Sequence, residues 1–120
     1  STGALIASLA SLWEGKVHQE MGNYQMADDI YREILAGEPD TQVKLEQFQW
    51  DLYAQARLFW YQTQNLWSKH EEVIDNRYYS ALDWLNKNLQ DRRTRFGLGI
   101  QLELAKAYFG QALKFEEGHK

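Results

Sequence analysis

The chain has 120 residues, enough for one domain, and its 44% hydrophobic and 25% charged residues exclude a collagen-like or low-complexity protein. It contains no cysteine, which excludes disulfides, thiolate metal sites and cysteine nucleophiles. The net charge of −4 disfavours nucleic-acid binding through bulk positive charge, and the sequence has no run of about 18 apolar residues that would predict a membrane span.

The distribution of glycine and proline predicts an all-α chain. No glycine or proline occurs between Asp40 and Phe96. A segment of that length without helix breakers, and with few threonines and valines, favours helix. No hairpin dipeptide separates alternating apolar runs, so β-strands are not expected.

Two helices joined by a short turn are predicted at the N-terminal end. The first covers about residues 3–21, and the second covers about residues 24–36. Gly22 suits the turn between them, Gly37 ends the second helix, and Pro39 prevents its continuation. The apolar residues of the first helix recur at helical spacing: Leu5, Ile6, Leu9, Leu12 and Trp13.

The third predicted helix is long and rich in aromatic residues. It follows a cap at Asp40 or Thr41, and it either breaks at residues 62–65 or continues to Ile74. One seam of this helix is expected to be buried: Leu45, Phe48, Leu52, Ala56 and Phe59. A helix that is apolar nearly all round is either deeply buried or covered by a second partner. The aromatic residues off the seam are therefore interface candidates: Trp50, Trp60 and Tyr61.

Two further helices are predicted in the C-terminal half, at about residues 77–90 and 94–115. The first is expected to point five residues inward: Tyr78, Ala81, Leu82, Leu85 and Leu89. The second carries its own apolar stripe: Leu98, Leu102, Ala105, Tyr108, Phe109 and Leu113. Because part of that stripe would lack a covering neighbour, the chain is expected to be a fragment of a longer protein.

A repeat-like pattern occupies residues 8–41, a span of 34 positions. Its spacing resembles the tetratricopeptide repeat family at six residues: Gly15, Gly22, Tyr24, Ala27, Tyr31 and Pro39. The first half departs from the family pattern, because Ser11, Glu14 and His18 stand where that pattern has Trp, Leu and Tyr. A fainter copy, shifted by 54 residues, aligns Trp13 with Trp67.

The resemblance implies a fold and a function. The fold would be a fragment of a right-handed superhelix of antiparallel helical hairpins, with one enlarged central helix. The function would be non-enzymatic binding of a peptide or partner helix in a groove lined by the first helix of each hairpin. The groove residues that it implies are Leu9, Leu12, Lys16, Gln19 and Glu20, with Leu66, His70 and Val73 in the fainter copy. Small residues at Gly15 and Ala27 would let the two helices of the first hairpin approach closely.

The titratable residues form no recognisable catalytic or metal-binding pattern. His18 lies four residues after Glu14, but a metal site needs at least three converging ligands. Neighbouring carboxylates such as Asp28 and Asp29 point about 100° apart on a helix, which indicates a solvated face. The arginine cluster at residues 92–95 is interpreted as a solvated loop. No cofactor, metal or nucleic-acid partner is therefore expected.

Alternative functions stay open beside the binding of a protein or peptide. The chain is a homo-oligomeric structural module, such as a homodimer, if the aromatic helix over residues 42–67 is a self-interface. A helical small-molecule binder or enzyme is the other alternative. Charge is unevenly distributed along the chain. Residues 1–40 carry two basic and seven acidic side chains, whereas residues 41–95 carry eight basic and seven acidic side chains. This asymmetry favours polar self-contact or a basic partner. The composition fits a cytoplasmic and a periplasmic domain equally.

Overall fold

A computed structural model describes residues 2–40 and 43–119. These ranges contain helices and no strand, which confirms the predicted all-α class. The chain divides into two compact units, residues 1–60 and 61–120. The elements are α1 (Thr2–Glu20), α2 (Tyr24–Ala36), α3 (Gln47–Leu66), α4 (His70–Asp75), α5 (Ala81–Lys87) and α6 (Arg95–Gly118), with a 3-10 helix at Leu89–Asp91 between the last two.

The first unit is built on the hairpin of α1 and α2, whose bounds lie within two residues of the prediction. Gly22 forms the turn at φ +80°, a left-handed conformation that glycine adopts without steric cost. Leu12, Ala27 and Leu35 are buried between the helices and their neighbours. The hairpin predicted from local signals is therefore present.

The close approach of α1 to α2 depends on Gly15. A Cβ atom added there would lie 2.6 Å from Cε1 of Tyr31. The Tyr31 ring is fully buried, and its hydroxyl donates a hydrogen bond to Oε1 of Gln19 at 2.8 Å. Burial raises the pKa of Tyr31, and the charge of Glu20 adds to the rise. The hydroxyl therefore stays protonated and remains a donor to Gln19.

Ala27 offers a direct test of this packing, because its side chain has no exposed surface. Ala27→Leu adds volume to a filled space, so we expect the free energy of unfolding to fall by about 1–3 kcal/mol. Ala36→Leu is the matched control, since Ala36 lies on the same helix and is exposed. Thermal or urea unfolding measures both variants. Equal stability of the two would contradict the close-packed hairpin.

The part of α3 in the first unit is joined to α2 and its C-terminal turn by polar side chains. Nε1 of Trp60 donates to Oδ1 of Asp28 at 2.7 Å, and both residues are buried. Arg57, also buried, donates from Nη2 to Oε1 of Glu38 at 3.0 Å. Asp28 is thus a core residue, which corrects its assignment to a solvated face.

α3 differs from the prediction at both ends. It begins at Gln47, and before it the Val43 amide donates a hydrogen bond to the Asp40 carbonyl at 2.9 Å. Asp40 therefore does not cap it, and Thr41 lies outside the described residues. The helix continues through residues 62–65 and ends at Leu66, before Ser68 at φ +61°. It does not extend to Ile74.

Most of the circumference of α3 is buried between residues 52 and 64. Phe48, by contrast, is 53% exposed, so the predicted buried seam begins only at Leu52. The buried residues are Leu52, Ala54, Ala56, Arg57, Phe59, Trp60, Tyr61, Thr63 and Gln64. The aromatic richness of this helix is therefore mainly core packing.

In the second unit, α5 is shorter than predicted because a polar turn precedes it. Oδ1 of Asn76 accepts hydrogen bonds from the amides of Tyr78 and Tyr79, both at 2.9 Å. Ser80 then caps α5 by accepting from the Asp83 amide at 3.2 Å. Ala81 and Leu85 are buried as predicted, but three residues predicted to point inward are exposed: Tyr78, Leu82 and Leu89.

α6 begins at Arg95, close to the predicted start, but it buries the opposite side. Its buried residues are Phe96, Gly97, Ile100, Glu103 and Ala107, whereas the predicted stripe of Leu98, Leu102, Ala105, Tyr108, Phe109 and Leu113 is exposed. The buried side carries small residues that permit close approach. A Cβ atom at Gly97 would overlap the Asp91 backbone, and one at Gly110 would overlap the His70 ring.

Candidate interaction surfaces

The outward side of α1 and the residue just after it carry a continuous row of large apolar side chains. The row follows spacings of three, four, four and four residues, and each member is 48–67% exposed. We call this row the α1 outer face: Ile6, Leu9, Trp13, Val17 and Met21. An exposed row of this kind is typical of an interaction surface rather than of a solvated helix.

The α1 outer face is held in place by the first unit beneath it. The Trp13 ring meets the Phe59 ring edge-on, with centroids 5.6 Å apart. Lys16 borders the face, with Nζ 4.5 Å from the Phe59 centroid and 3.0 Å from Oε1 of Glu20. The Trp13 ring therefore packs against Phe59 on one side and is exposed on the other. This arrangement is typical of an aromatic anchor at an interface.

A second apolar row lies on α6. Its large side chains are 44–66% exposed and are spaced along the helix with Ala105 between them. We call this row the α6 outer face: Leu98, Leu102, Ala105, Phe109 and Leu113. Lys106 borders it, and its Nζ lies 3.3 Å from Oε2 of the buried Glu103. Each unit thus carries one apolar helical face that its own side chains do not cover.

The predicted groove residues of the first unit do not lie on one surface. Leu9 belongs to the α1 outer face, while Lys16 and Glu20 border it. Leu12 and Gln19 are buried, so they are core residues and not groove residues. The prediction missed Ile6, Trp13, Val17 and Met21. The sequence did carry a signal for these residues, because α1 has apolar residues on two sides. A helix in a hairpin buries only one of its sides, so the second apolar side is left exposed.

The groove residues predicted in the second unit are also divided. Leu66 is exposed, His70 is half-buried and Val73 has no exposed surface. His70 donates from Nδ1 to Oδ1 of Asn65 at 2.7 Å, and Asn65 donates from Nδ2 to Oε1 of Glu103 at 3.0 Å. His70 and Val73 therefore serve packing within the unit.

His70 gives this unit a pH-dependent stability. Burial lowers the pKa of His70 below 6.5, the charge of Lys114 lowers it further, and Glu71 acts in the opposite direction. Glu103 is linked to the ring through the side chain of Asn65. The folded chain therefore binds fewer protons than the unfolded chain just below pH 6.5. The free energy of unfolding should fall as the pH drops from there to the folded pKa.

The measurement is urea unfolding at about pH 7.5 and about pH 5.5, for the natural chain and for His70→Gln. We expect the natural chain to lose more stability between these two conditions than the variant, because glutamine does not titrate. An identical loss in both proteins would assign the pH dependence to other groups.

The three aromatic interface candidates on α3 have different environments. Trp60 and Tyr61 have no exposed surface, and the Tyr61 hydroxyl donates to the Tyr79 carbonyl at 2.5 Å. Neither ring has surface that another chain could contact in this fold, which corrects the interface expectation for these two residues. Trp50 is half-buried and keeps some accessible surface.

Within residues 2–40 and 43–119, no cluster of three or more His, Cys, Asp or Glu side chains could hold a metal ion. No helix in the same ranges is both long and apolar enough to cross a membrane.

Comparison with known proteins gives no relative from which a function could be transferred. No family model, no curated protein and no solved structure matches the chain significantly. The resemblance to tetratricopeptide repeats rests on the residues quoted above alone.

Proposed function

We propose that this chain is a non-enzymatic protein–protein interaction module that binds an amphipathic partner helix on the α1 outer face. The observation that supports the proposal most strongly is the row of half-exposed apolar side chains, from Ile6 to Met21, on a helix whose other side is packed. Helix-in-groove recognition uses anchors at this spacing. The resemblance to tetratricopeptide repeats supports the same class of function.

Trp13 is the central anchor of the proposed site. It lies in the middle of the face, and its contact with Phe59 fixes one side of the ring. An aromatic side chain that is already ordered loses less entropy on binding. The exposed surface of the Trp13 ring can therefore contribute more of its burial to the binding free energy. Lys16 and Glu20 supply a charged border that would orient the partner helix.

The homo-oligomeric alternative through residues 42–67 has less surface to support it. Trp60 and Tyr61 are buried, and the large apolar residues that are more than half exposed are only Val43, Phe48 and Leu66 among the described residues of this range; Leu45, Trp50, Tyr53, Leu58 and Trp67 are half-buried. The α1 outer face is a longer continuous row than these separated positions.

The test selects tryptophan-free amphipathic helices from a displayed library against the whole chain and measures their affinity for two variants. Val17→Asp places a charge on the face, whereas Ala7→Asp places the same charge on an exposed position of α1 outside it. We expect Val17→Asp to weaken binding by about tenfold or more, equivalent to about 1.4 kcal/mol. Binders that respond equally to both variants would contradict the proposal.

A further inference from the structure

We propose that the partner helix is α6 of a second copy, so that the α1 outer face of one chain packs antiparallel on the α6 outer face of the next. This inference rests on the proposed function, because it names the occupant of the same site. Each copy would carry one face of each kind, and the contact would join unlike faces.

The two faces match in length. One extends over residues 6–21 and the other over residues 98–113, which is 16 residues in each case. At a rise of about 1.5 Å per residue, both are roughly 22 Å long from the first residue to the last. Two helices paired over this length would cover all large apolar residues of both rows.

The sizes of the side chains favour an antiparallel register. When Val17 is placed opposite Leu102, Trp13 falls at the level of Lys106, and Ala105, one residue away, is the nearest member of the α6 outer face. In the same register, Phe109 falls opposite Ala10, an exposed alanine of α1. Each large ring would therefore lie beside a small residue, as interdigitated helices require. A parallel register would place Trp13 opposite Ala105, but it would set Phe109 against Val17.

Charge also favours contact between unlike units. Residues 1–60 contain four basic and nine acidic side chains, which gives a net charge of −5. Residues 61–120 contain nine basic and eight acidic side chains, which gives a net charge of +1. A symmetric contact between two α1 outer faces would bring two acidic units together. In the antiparallel register, Glu14 and Lys106 border the two faces on the same side and at nearly the same level.

The area of the faces predicts a weak and reversible contact. About half of five large side chains amounts to roughly 400–500 Å² of apolar surface, whereas a standard interface buries about 800 Å² per partner. A single contact between unlike faces leaves one face of each kind unused in the pair, so association either closes into a ring or continues as concentration rises.

The experiment is sedimentation of the whole chain and of two single variants, alone and mixed. Val17→Asp removes the α1 outer face, and Leu102→Asp removes the α6 outer face; both positions are more than half exposed, so the fold should persist. We expect the natural chain to associate with rising concentration and each variant alone to stay monomeric. The equimolar mixture should form dimers and nothing larger, because one intact pair of faces remains. Ala7→Asp is the control and should associate normally.

Other outcomes would overturn the inference. Association of Leu102→Asp alone would indicate a contact between two α1 outer faces, and association of Val17→Asp alone would indicate two α6 outer faces. A natural chain that stays monomeric up to millimolar concentration, yet binds the selected helices through Val17, would refute self-assembly and leave the proposed function intact. Failure of both experiments would refute both.

A cysteine pair provides an independent reading of the register, since the natural chain has no cysteine. Val17→Cys and Leu102→Cys, mixed under mild oxidation, should form the mixed disulfide several-fold faster than either variant forms its own dimer. Faster formation of either same-variant dimer would overturn the antiparallel pairing of unlike faces.

Discussion

Gly97→Ala should destabilise the chain by about 3 kcal/mol or more, although the same change inside an open helix normally adds about 0.5–1 kcal/mol of stability. The added Cβ would overlap the carbonyl oxygen of Asp91 and the Cα of Arg92. These are backbone atoms, which cannot rotate away as a flexible side chain can. The connector before α6 or the first turn of the helix would have to move.

Several hydrogen bonds hold that connector over Gly97. The Gly97 amide donates to Oγ1 of Thr94 at 3.1 Å, and Oγ1 of Thr94 donates to the Asp91 carbonyl at 2.6 Å. Gln101 donates from Nε2 to the Arg92 carbonyl at 2.7 Å. Movement of the connector would weaken these bonds together, so the expected cost exceeds that of a single clash.

Urea unfolding followed by circular dichroism measures the effect, and Gly118→Ala is the control. Gly118 ends the same helix, and an added Cβ there would meet no atom within 4 Å. We expect the control to change stability by only a few tenths of a kcal/mol. If Gly97→Ala is as stable as the control, the close approach of the connector to α6 is wrong.

Asp28→Ala is the second change for which we expect a large effect, about 2–4 kcal/mol of lost stability. The Asp28 carboxylate is buried, accepts the indole N–H of Trp60 at 2.7 Å and lies 3.3 Å from Nε of Arg32. Alanine removes a charge-assisted acceptor from the core and leaves the volume of the carboxylate unfilled. Both losses act on the contact between α2 and α3.

Asp29→Ala is a closely matched control, because it removes the same side chain one position along the helix. Asp29 is exposed and accepts a hydrogen bond from Gln25 at 3.0 Å, so we expect a cost below about 0.5 kcal/mol. A cycle with Trp60→Phe then isolates the coupling between Asp28 and Trp60. Equal costs for Asp28→Ala and Asp29→Ala, or a coupling near zero, would show that the buried contact contributes little.

The sequence predicts those parts of the fold that depend on local signals. Gly22, Gly37 and Pro39 delimit α1 and α2 because turn geometry and the missing proline N–H act within a few residues. Thr94 and the change in periodicity likewise locate the start of α6. The start of α5 was not predicted, because the polar turn at Asn76 extends toward Ser80 and competes with helix through side-chain hydrogen bonds. The start of α3 at Gln47 was not predicted either.

The buried side of a helix is harder to predict when both sides are apolar. On α6 the leucine-rich row is the stronger apolar signal, yet the side with Gly97, Ala107 and Gly110 packs inward, because its small residues allow backbones to approach. On α1, Gly15 likewise lies on the packed side, because it allows the close approach of the Tyr31 ring. Gly15 on α1 and Gly97 and Gly110 on α6, not the largest side chains, lie on the packed sides, and the remaining apolar side of each helix is the candidate surface.

The most direct test of the proposed interaction surface is the accessibility of Trp13 in the presence of a selected, tryptophan-free helix. Trp13 is 53% exposed, whereas Trp60 and Trp84 are buried. The difference in iodide quenching between the natural chain and Trp13→Phe therefore reports on the α1 outer face. We expect bound helix to reduce this difference severalfold at saturation. Unchanged quenching of Trp13 by a helix that demonstrably binds would contradict the assignment of the α1 outer face as the binding surface.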